Sequence, residues 1–293
     1  MQVYSYWARA TLDCADAAGL PYHLTAYAGS DNSEAAAKQA VAQLLHTRHA
    51  RLLANQALAE YPTGSAPLRE ELLQRLHNKQ GEMIGALTRN HYGSIVLNTL
   101  AVMFLDIDAV DLRERIYPTL PPLSVSEFFR RLFSPPPAPV YRDLDESLQL
   151  RLTAWLHQHP NWNFRVYRTR LGFRLLVTHQ LLTPDTAAAQ AVFTAFRTDA
   201  TYVRLCQKQH CYRARLSPKP WRIGWQRPWL VFPYDTPAEQ QEQRAWEQAY
   251  ADRSAAYSVC AWVGDYGSGH VCPDAAQLIE LHDAACLGGR PLA

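Results

Sequence analysis

The chain has 293 residues, 48% of them apolar and 19% charged, with a formal net charge of +2. That composition belongs to a folded chain with a sizeable core, and it excludes a disordered chain; six cysteines are too few for a disulfide scaffold. No apolar run approaches the roughly 18 residues of a membrane span, and residues 1–7 carry neither a basic nor an apolar signal region, so the expectation is a cytoplasmic protein with reduced thiols and no membrane partner.

In chain order, residues 1–30 read as irregular or short strand. A cap-rich turn at 29–33 leads into an Ala-rich helix over 34–60, whose apolar positions Ala37, Val41, Leu44, Leu45, Leu52 and Leu53 keep a 3.6-residue period. Residues 61–64 stop it. A second helix is expected over 68–77 and a third segment over 82–87. After the polar turn 88–93, the apolar run 94–105 reads as two strands or one bent strand. It ends in Phe104-Leu105-Asp106-Ile107-Asp108. In a strand these two acids share a face about 7 Å apart. Like charges so placed are costly to bury unless a cation sits between them, and carboxylate oxygens suit magnesium or manganese. The alternative is a solvated turn at a strand end.

Residues 116–141 hold seven prolines, and a short helix over 125–132 with Phe128, Phe129, Leu132 and Phe133 gives this excursion something to bury. A helix over 144–156 ends at His159-Pro160. Residues 163–170 and 173–178 form a hairpin about Leu171-Gly172. A helix over 186–196 follows, then strands over 202–205 and 211–216. A Gln/Glu-rich helix over 237–250, a Gly-rich turn over 264–269 and a last helix over 273–286 complete the chain.

Charge is unevenly spread. Between Arg165 and Arg227 stand twelve Lys/Arg and two acids, so the rest of the chain is net acidic by about eight charges. Such a basic stretch points to phosphates, the alternative being solvated arginines on strands. Cysteine and histidine recur at 206, 210 and 211 and at 260, 270, 272, 282 and 286, without the paired spacing of structural zinc, which is therefore not expected. His282-Asp283 reads as a structural pair near a helix end.

Three pieces stand in one order: the Asp-x-Asp strand, the basic hairpin, and Asp199 followed by Tyr202 and by Cys211-Tyr-Arg-Ala-Arg-Leu-Ser-Pro-Lys219. In this the chain resembles the archaeo-eukaryotic primase superfamily, in its primase-polymerase branch, over roughly residues 85–225. Arg174 falls where that family has the His of its second motif, and His179 lies five residues further on. The resemblance implies an α+β fold with a catalytic core of mixed or antiparallel sheet over 85–228, an N-terminal helical part over 1–84, and a C-terminal helical tail over 229–293 packed on the core. It implies that Asp106, Asp108 and Asp199 hold two Mg²⁺ or Mn²⁺ ions, and that Arg170, Arg174, Arg213, Arg215 and Lys219 bind the phosphates of an NTP or dNTP. The implied activity is nucleotidyl transfer to single-stranded or primed nucleic acid, in replication or repair. The altered second motif favours an alternative, a degenerate module that binds nucleotide or single-stranded nucleic acid without synthesis. A nuclease or small-molecule nucleotidyltransferase is a third reading of the same acids. Phe173, Trp221, Trp225 and Trp229 are candidates for stacking on bases, with packing beside proline as the alternative.

Overall fold

The computed structural model describes residues 1–56, 66–117 and 138–293. Its first 53 residues make a small unit. Strands β1 (Tyr6–Ala15) and β2 (Pro21–Ser30) pair antiparallel, and helix α1 (Glu34–Leu53) covers one face with Ala37, Val41, Leu45 and Leu52. Ser33 caps α1 by accepting from the N–H of Ala36. Of the two readings of residues 1–30, irregular or short strand, the strand one holds, and each strand runs for ten residues. The register is set by the turn, where Gly19 takes φ +82° and the Asp16 carboxylate accepts from Ala18 and Leu20.

Two four-stranded antiparallel sheets follow. One consists of β3 (Glu71–His77), β4 (Met83–Arg89), β5 (Ile95–Thr99) and, outside β5, a strand at Tyr212–Arg215. The segments 68–77 and 82–87 are therefore strands rather than helices. Leu72, Leu73 and Leu76 satisfy helical spacing, but strand pairing decides. The turn between them is built by Asn78, whose Oδ1 accepts from the N–H of Gln80 and of Glu82, with Gly81 at φ +84°. Among the described residues, the helical part expected over 1–84 accordingly holds one helix, and its last stretch is an edge of this sheet.

Residues 100–103 carry the chain out of this sheet into the second, beginning with β6 (Phe104–Asp108). A four-residue helix, α2 (Ala109–Leu112), continues it, and β7 (Arg115–Ile116) pairs with β8 (Val140–Tyr141). The proline-rich excursion and its expected helix over 125–132 lie outside the described residues, as does the stop at 61–64. Helix α3 (Leu144–Gln158), capped by Asp143, precedes the hairpin of β9 (Asn163–Thr169) and β10 (Gly172–Val177). Strand β10 lies against β6 with Arg174 opposite Asp106 and Gly172 opposite Asp108. A Cβ at Gly172 would collide with the carbonyl oxygen of Ile107, so the tight approach of these strands needs glycine there.

Helices α4 (Ala187–Ala195) and α5 (Ala200–Gln209) come next. The strand expected over 202–205 is therefore corrected. Asp199 caps α5, and Tyr202 and Cys206 bury an i, i+4 face. Strand β11 (Tyr212–Arg215) leads to a 3₁₀ turn (Pro220–Ile223), helix α6 (Pro237–Ser254), strand β12 (Cys260–Gly267) and helix α7 (Pro273–Cys286). The segment 264–269 read as a turn is largely the end of β12, which pairs with β9 and completes the order β12-β9-β10-β6. The main core joins the Phe, Leu and Val face of this sheet and the helices packed on it with Leu76, Ile84, Leu97 and Tyr212 of the first sheet. Among the described residues no helix is long and apolar enough to cross a membrane.

The edges β6 and β11 are tied by one side chain. The buried Tyr202 hydroxyl donates to the Phe104 carbonyl at 3.0 Å and accepts from the Arg213 N–H at 3.3 Å. Tyr202→Phe should leave both backbone groups unpaired and lower stability by about 1–3 kcal/mol. Urea unfolding of the two proteins measures this, and an unchanged midpoint would show that the strut carries no load.

Candidate metal and phosphate site

The sequence of β6 makes a strand buried on both faces until its last residues. Leu105 and Ile107 point into the core, while Asp106 and Asp108 emerge on the other face. The backbone N–H of Asp199 donates to the Asp106 carbonyl at 3.1 Å, which docks the start of α5 on this strand end. Asp199 also accepts from the Tyr202 N–H through Oδ1 at 2.6 Å. Asp111, one turn into α2, completes the group. Carboxylate oxygens of Asp108, Asp111 and Asp199 all lie within 4.8 Å of one another. Asp106 lines the same cleft. Partial burial, then the charges of Asp106, Asp199 and Asp111, hold the Asp108 carboxyl above its ordinary value.

The opposite wall belongs to the other sheet and the turn that follows it. Arg215, Lys219 and Arg222 line it, and the cleft encloses about 220 Å³. Burial, then Arg215 and Arg222, push the Lys219 ammonium below its ordinary value. Arg215 and Arg222 are likewise lowered, first by burial. None of these three makes an ion pair with an acid among the described residues. No direct ion pair spans the cleft among the described residues, although the charges of Asp106 and Asp108 act across it on Arg215, Lys219 and Arg222; a cation among the acids and an anion on the basic wall would each meet opposite charge.

The sequence-based candidates separate into three groups. Asp106, Asp108, Asp199, Arg215 and Lys219 come together in the cleft. Asp111 and Arg222 join them unforeseen, although Asp108-x-x-Asp111 at the start of a helix was a readable spacing. Arg170 sits at the rim, where it donates to the Arg222 carbonyl at 3.1 Å. Arg213 is elsewhere. It pairs with Glu70 at 2.5 Å, and Glu70 accepts from Thr88, which accepts from the buried Asn98, so this arginine closes a structural network within the β3–β5 sheet. Phe173 is fully buried on the core face, beneath Arg168, and cannot stack on a ligand.

Arg174 holds the position its strand pairing dictates, but only 3% of it is exposed. Its guanidinium donates to the Arg215 carbonyl and to His282 Nε2, both at 3.0 Å. Arginine has no acceptor, so His282 Nε2 carries the lone pair and its Nδ1–H donates to Asp283 at 2.9 Å. Asp283 also accepts from Tyr167 at 2.6 Å and Arg165 at 2.7 Å. Beside Arg174 lie Cys260 and Cys286, buried, with their sulfurs and a His282 nitrogen within 4.8 Å of one another. The hydrogen bond with Cys286, then the contact with His282 and the Arg174 charge, pull the Cys260 thiol down against burial, while Cys286 is pushed up. His270 and Cys272 do not join this group, nor do Cys206, His210 and Cys211 form one. Both His282 nitrogens are already hydrogen-bonded, so the set reads as a structural support under the cleft.

The network has a pH signature. Burial raises the Asp283 carboxyl, but hydrogen bonds from His282, Tyr167 and Arg165 outweigh it and hold it below the ordinary value. Its stabilising contribution is present above the ordinary carboxylate range and is lost as pH falls through the lowered value. Acid unfolding of Asp283→Asn should therefore show a shallower dependence of stability on pH below about pH 4. An unchanged slope would mean that Asp283 titrates as an ordinary exposed acid.

No protein-family model, no curated protein and no solved structure matches the chain.

Proposed function

We propose that the protein is a metal-dependent nucleotidyltransferase of the primase-polymerase kind, adding nucleotides to a nucleic-acid strand. The observation that carries this reading is an acidic wall facing a basic wall across one cleft, with no direct ion pair between them among the described residues. A metal–triphosphate complex supplies a cation to Asp108, Asp111 and Asp199, and an anion to Arg215, Lys219 and Arg222. All-carboxylate donors suit Mg²⁺ or Mn²⁺. Bound there, such ions supply Lewis-acid stabilisation of the phosphoryl charge and a more acidic attacking hydroxyl.

The chain's own residues do the rest. Asp106, Asp108, Asp111 and Asp199 hold the ions. Lys219 and Arg222 hold the triphosphate and offset charge on the leaving pyrophosphate, and Arg215 stands behind them. A strand 3′-hydroxyl oxygen bonds to the α-phosphorus, the bond from that phosphorus to pyrophosphate breaks, and the hydroxyl proton leaves to solvent. At about 220 Å³ the cleft is smaller than the roughly 300–1,000 Å³ of a pocket for a whole small molecule, so it takes the phosphates and leaves the base outside.

The test is incubation with labelled NTPs or dNTPs and Mn²⁺ on primed and unprimed single-stranded DNA. Extension or primer synthesis is expected. Its absence in every combination overturns the reading. One observation favours a binding-only module instead: Arg174, at the position of the family's phosphate-contacting His, spends its guanidinium on His282 and the Arg215 carbonyl. Under that alternative Mn²⁺-dependent nucleotide binding persists without product.

A further inference from the structure

The 3₁₀ turn Pro220–Ile223 has two sides. Lys219 and Arg222 face the acidic cleft, while Trp221 between them faces a second, larger groove of about 1,120 Å³. Tyr92, Trp221, Trp225 and Trp229 line that groove, with Arg69 and Arg227. Trp221 is 49% exposed and Trp229 73%. Leaving two such large apolar rings in water is unfavourable, and here they are also held in place. The Trp221 ring meets Tyr92 edge to face at 5.0 Å and lies 5.6 Å from the Lys219 ammonium. The Trp229 indole N–H donates to Glu242 at 3.0 Å, and the Arg69 guanidinium stacks on Tyr27 at 3.8 Å. Pre-set rings lose little freedom when a flat ligand stacks on them.

The charge of the groove selects the ligand. No acid lines it, and neither Arg69 nor Arg227 makes an ion pair among the described residues. Several arginines elsewhere are matched to acids, as in Arg9 with Asp235, Arg75 with Asp31 and Arg168 with Asp145. Aromatic faces alternating with unmatched guanidinium groups suit a polyanion that carries flat rings. The groove and the phosphate cleft lie on either side of one turn, Trp221 lining the first and Lys219 and Arg222 the second, and the cleft leaves the base outside.

We infer that this groove is the path of a single strand of nucleic acid, its bases stacked on Trp221 and Trp229 and its phosphates on Arg69 and Arg227, leading to the acidic cleft. The destination rests on the nucleotidyl-transfer reading; the binding surface does not.

The test is fluorescence anisotropy with labelled dT20 and U20 in EDTA, so that no metal chemistry intervenes. Wild type should bind, and which oligomer binds more tightly tells DNA from RNA as the source. Trp221→Ala and Trp229→Ala should each weaken binding about tenfold. Arg69→Gln and Arg227→Gln should each reduce the slope of log affinity against log salt by about 0.7. Unchanged melting temperatures keep these comparisons valid. Asp108→Asn should bind the strand as wild type does while losing transfer. No binding to either oligomer at 50 mM salt overturns the inference, as do Trp and Arg variants that bind like wild type, or a groove that takes a proline-rich peptide and no oligonucleotide. Strand binding at the groove without any nucleotide incorporation leaves this inference standing and removes the catalytic one.

Discussion

Asp108→Asn should abolish nucleotide incorporation by about a thousandfold or more and at the same time make the metal-free protein more stable. The two effects share one cause. Asp108 stands within 4.8 Å of two other acids and is held above its ordinary carboxyl value by burial and by Asp106, Asp199 and Asp111. A carboxyl raised in the folded state destabilises that state wherever it is ionised, and the penalty is relieved as pH falls through its raised value. An amide removes the repulsion at every pH. It also removes a ligand to ions worth several kcal/mol of transition-state stabilisation. Calorimetry should show the wild type gaining melting temperature on addition of Mn²⁺, whereas the variant starts higher and gains little. A variant that melts lower than wild type without metal would mean that the acids are compensated within the protein. A variant that still incorporates nucleotide would remove Asp108 from the chemistry.

Arg174→Ala should lower stability by about 3–5 kcal/mol, the cost of leaving a buried charge network without one partner. The guanidinium is buried, and its loss strands the Arg215 carbonyl and His282 Nε2 together and removes the cation beside Cys260. Arg174→Lys keeps the charge but not the planar fork that reaches two acceptors, and should recover less than half of the loss. Urea unfolding measures both. A thiol-titration profile adds a second readout, because Cys260 should move up when the neighbouring cation is removed. A fully stable Arg174→Ala protein whose Cys260 titrates unchanged would show that the two groups are not coupled.

The parts of the site carried by local pattern were readable. The Asp-x-Asp strand end, the hairpin about Gly172 and the last helix, at Pro273–Cys286, stand where their residue types indicate. Other parts depend on contacts between distant segments. Leu72, Leu73 and Leu76 fit a helix as well as a strand, and only pairing with β4 decides. Val203 and Leu205 mimic strand alternation inside α5, although the cap at Asp199 signalled a helix start. Arg213 and Arg215 share one face of β11, yet Glu70, reaching in from far upstream, claims the first and leaves the second to the cleft. The support under Arg174 is assembled from β12 and α7, where no short motif could announce it.

The tyrosine that ties Phe104 to Arg213 has a wider consequence. The acids ride on one sheet and the lysine and arginines on the other, so the two sheets act as jaws whose gap sets the strength of attraction across the site. An occupant held by both jaws is a further staple between sheets already joined by a shared core and by the Arg174 bond to the Arg215 carbonyl. Its binding should slow amide hydrogen exchange in β5 and β11 as much as in β6 and β10, spreading protection to strands that it never touches.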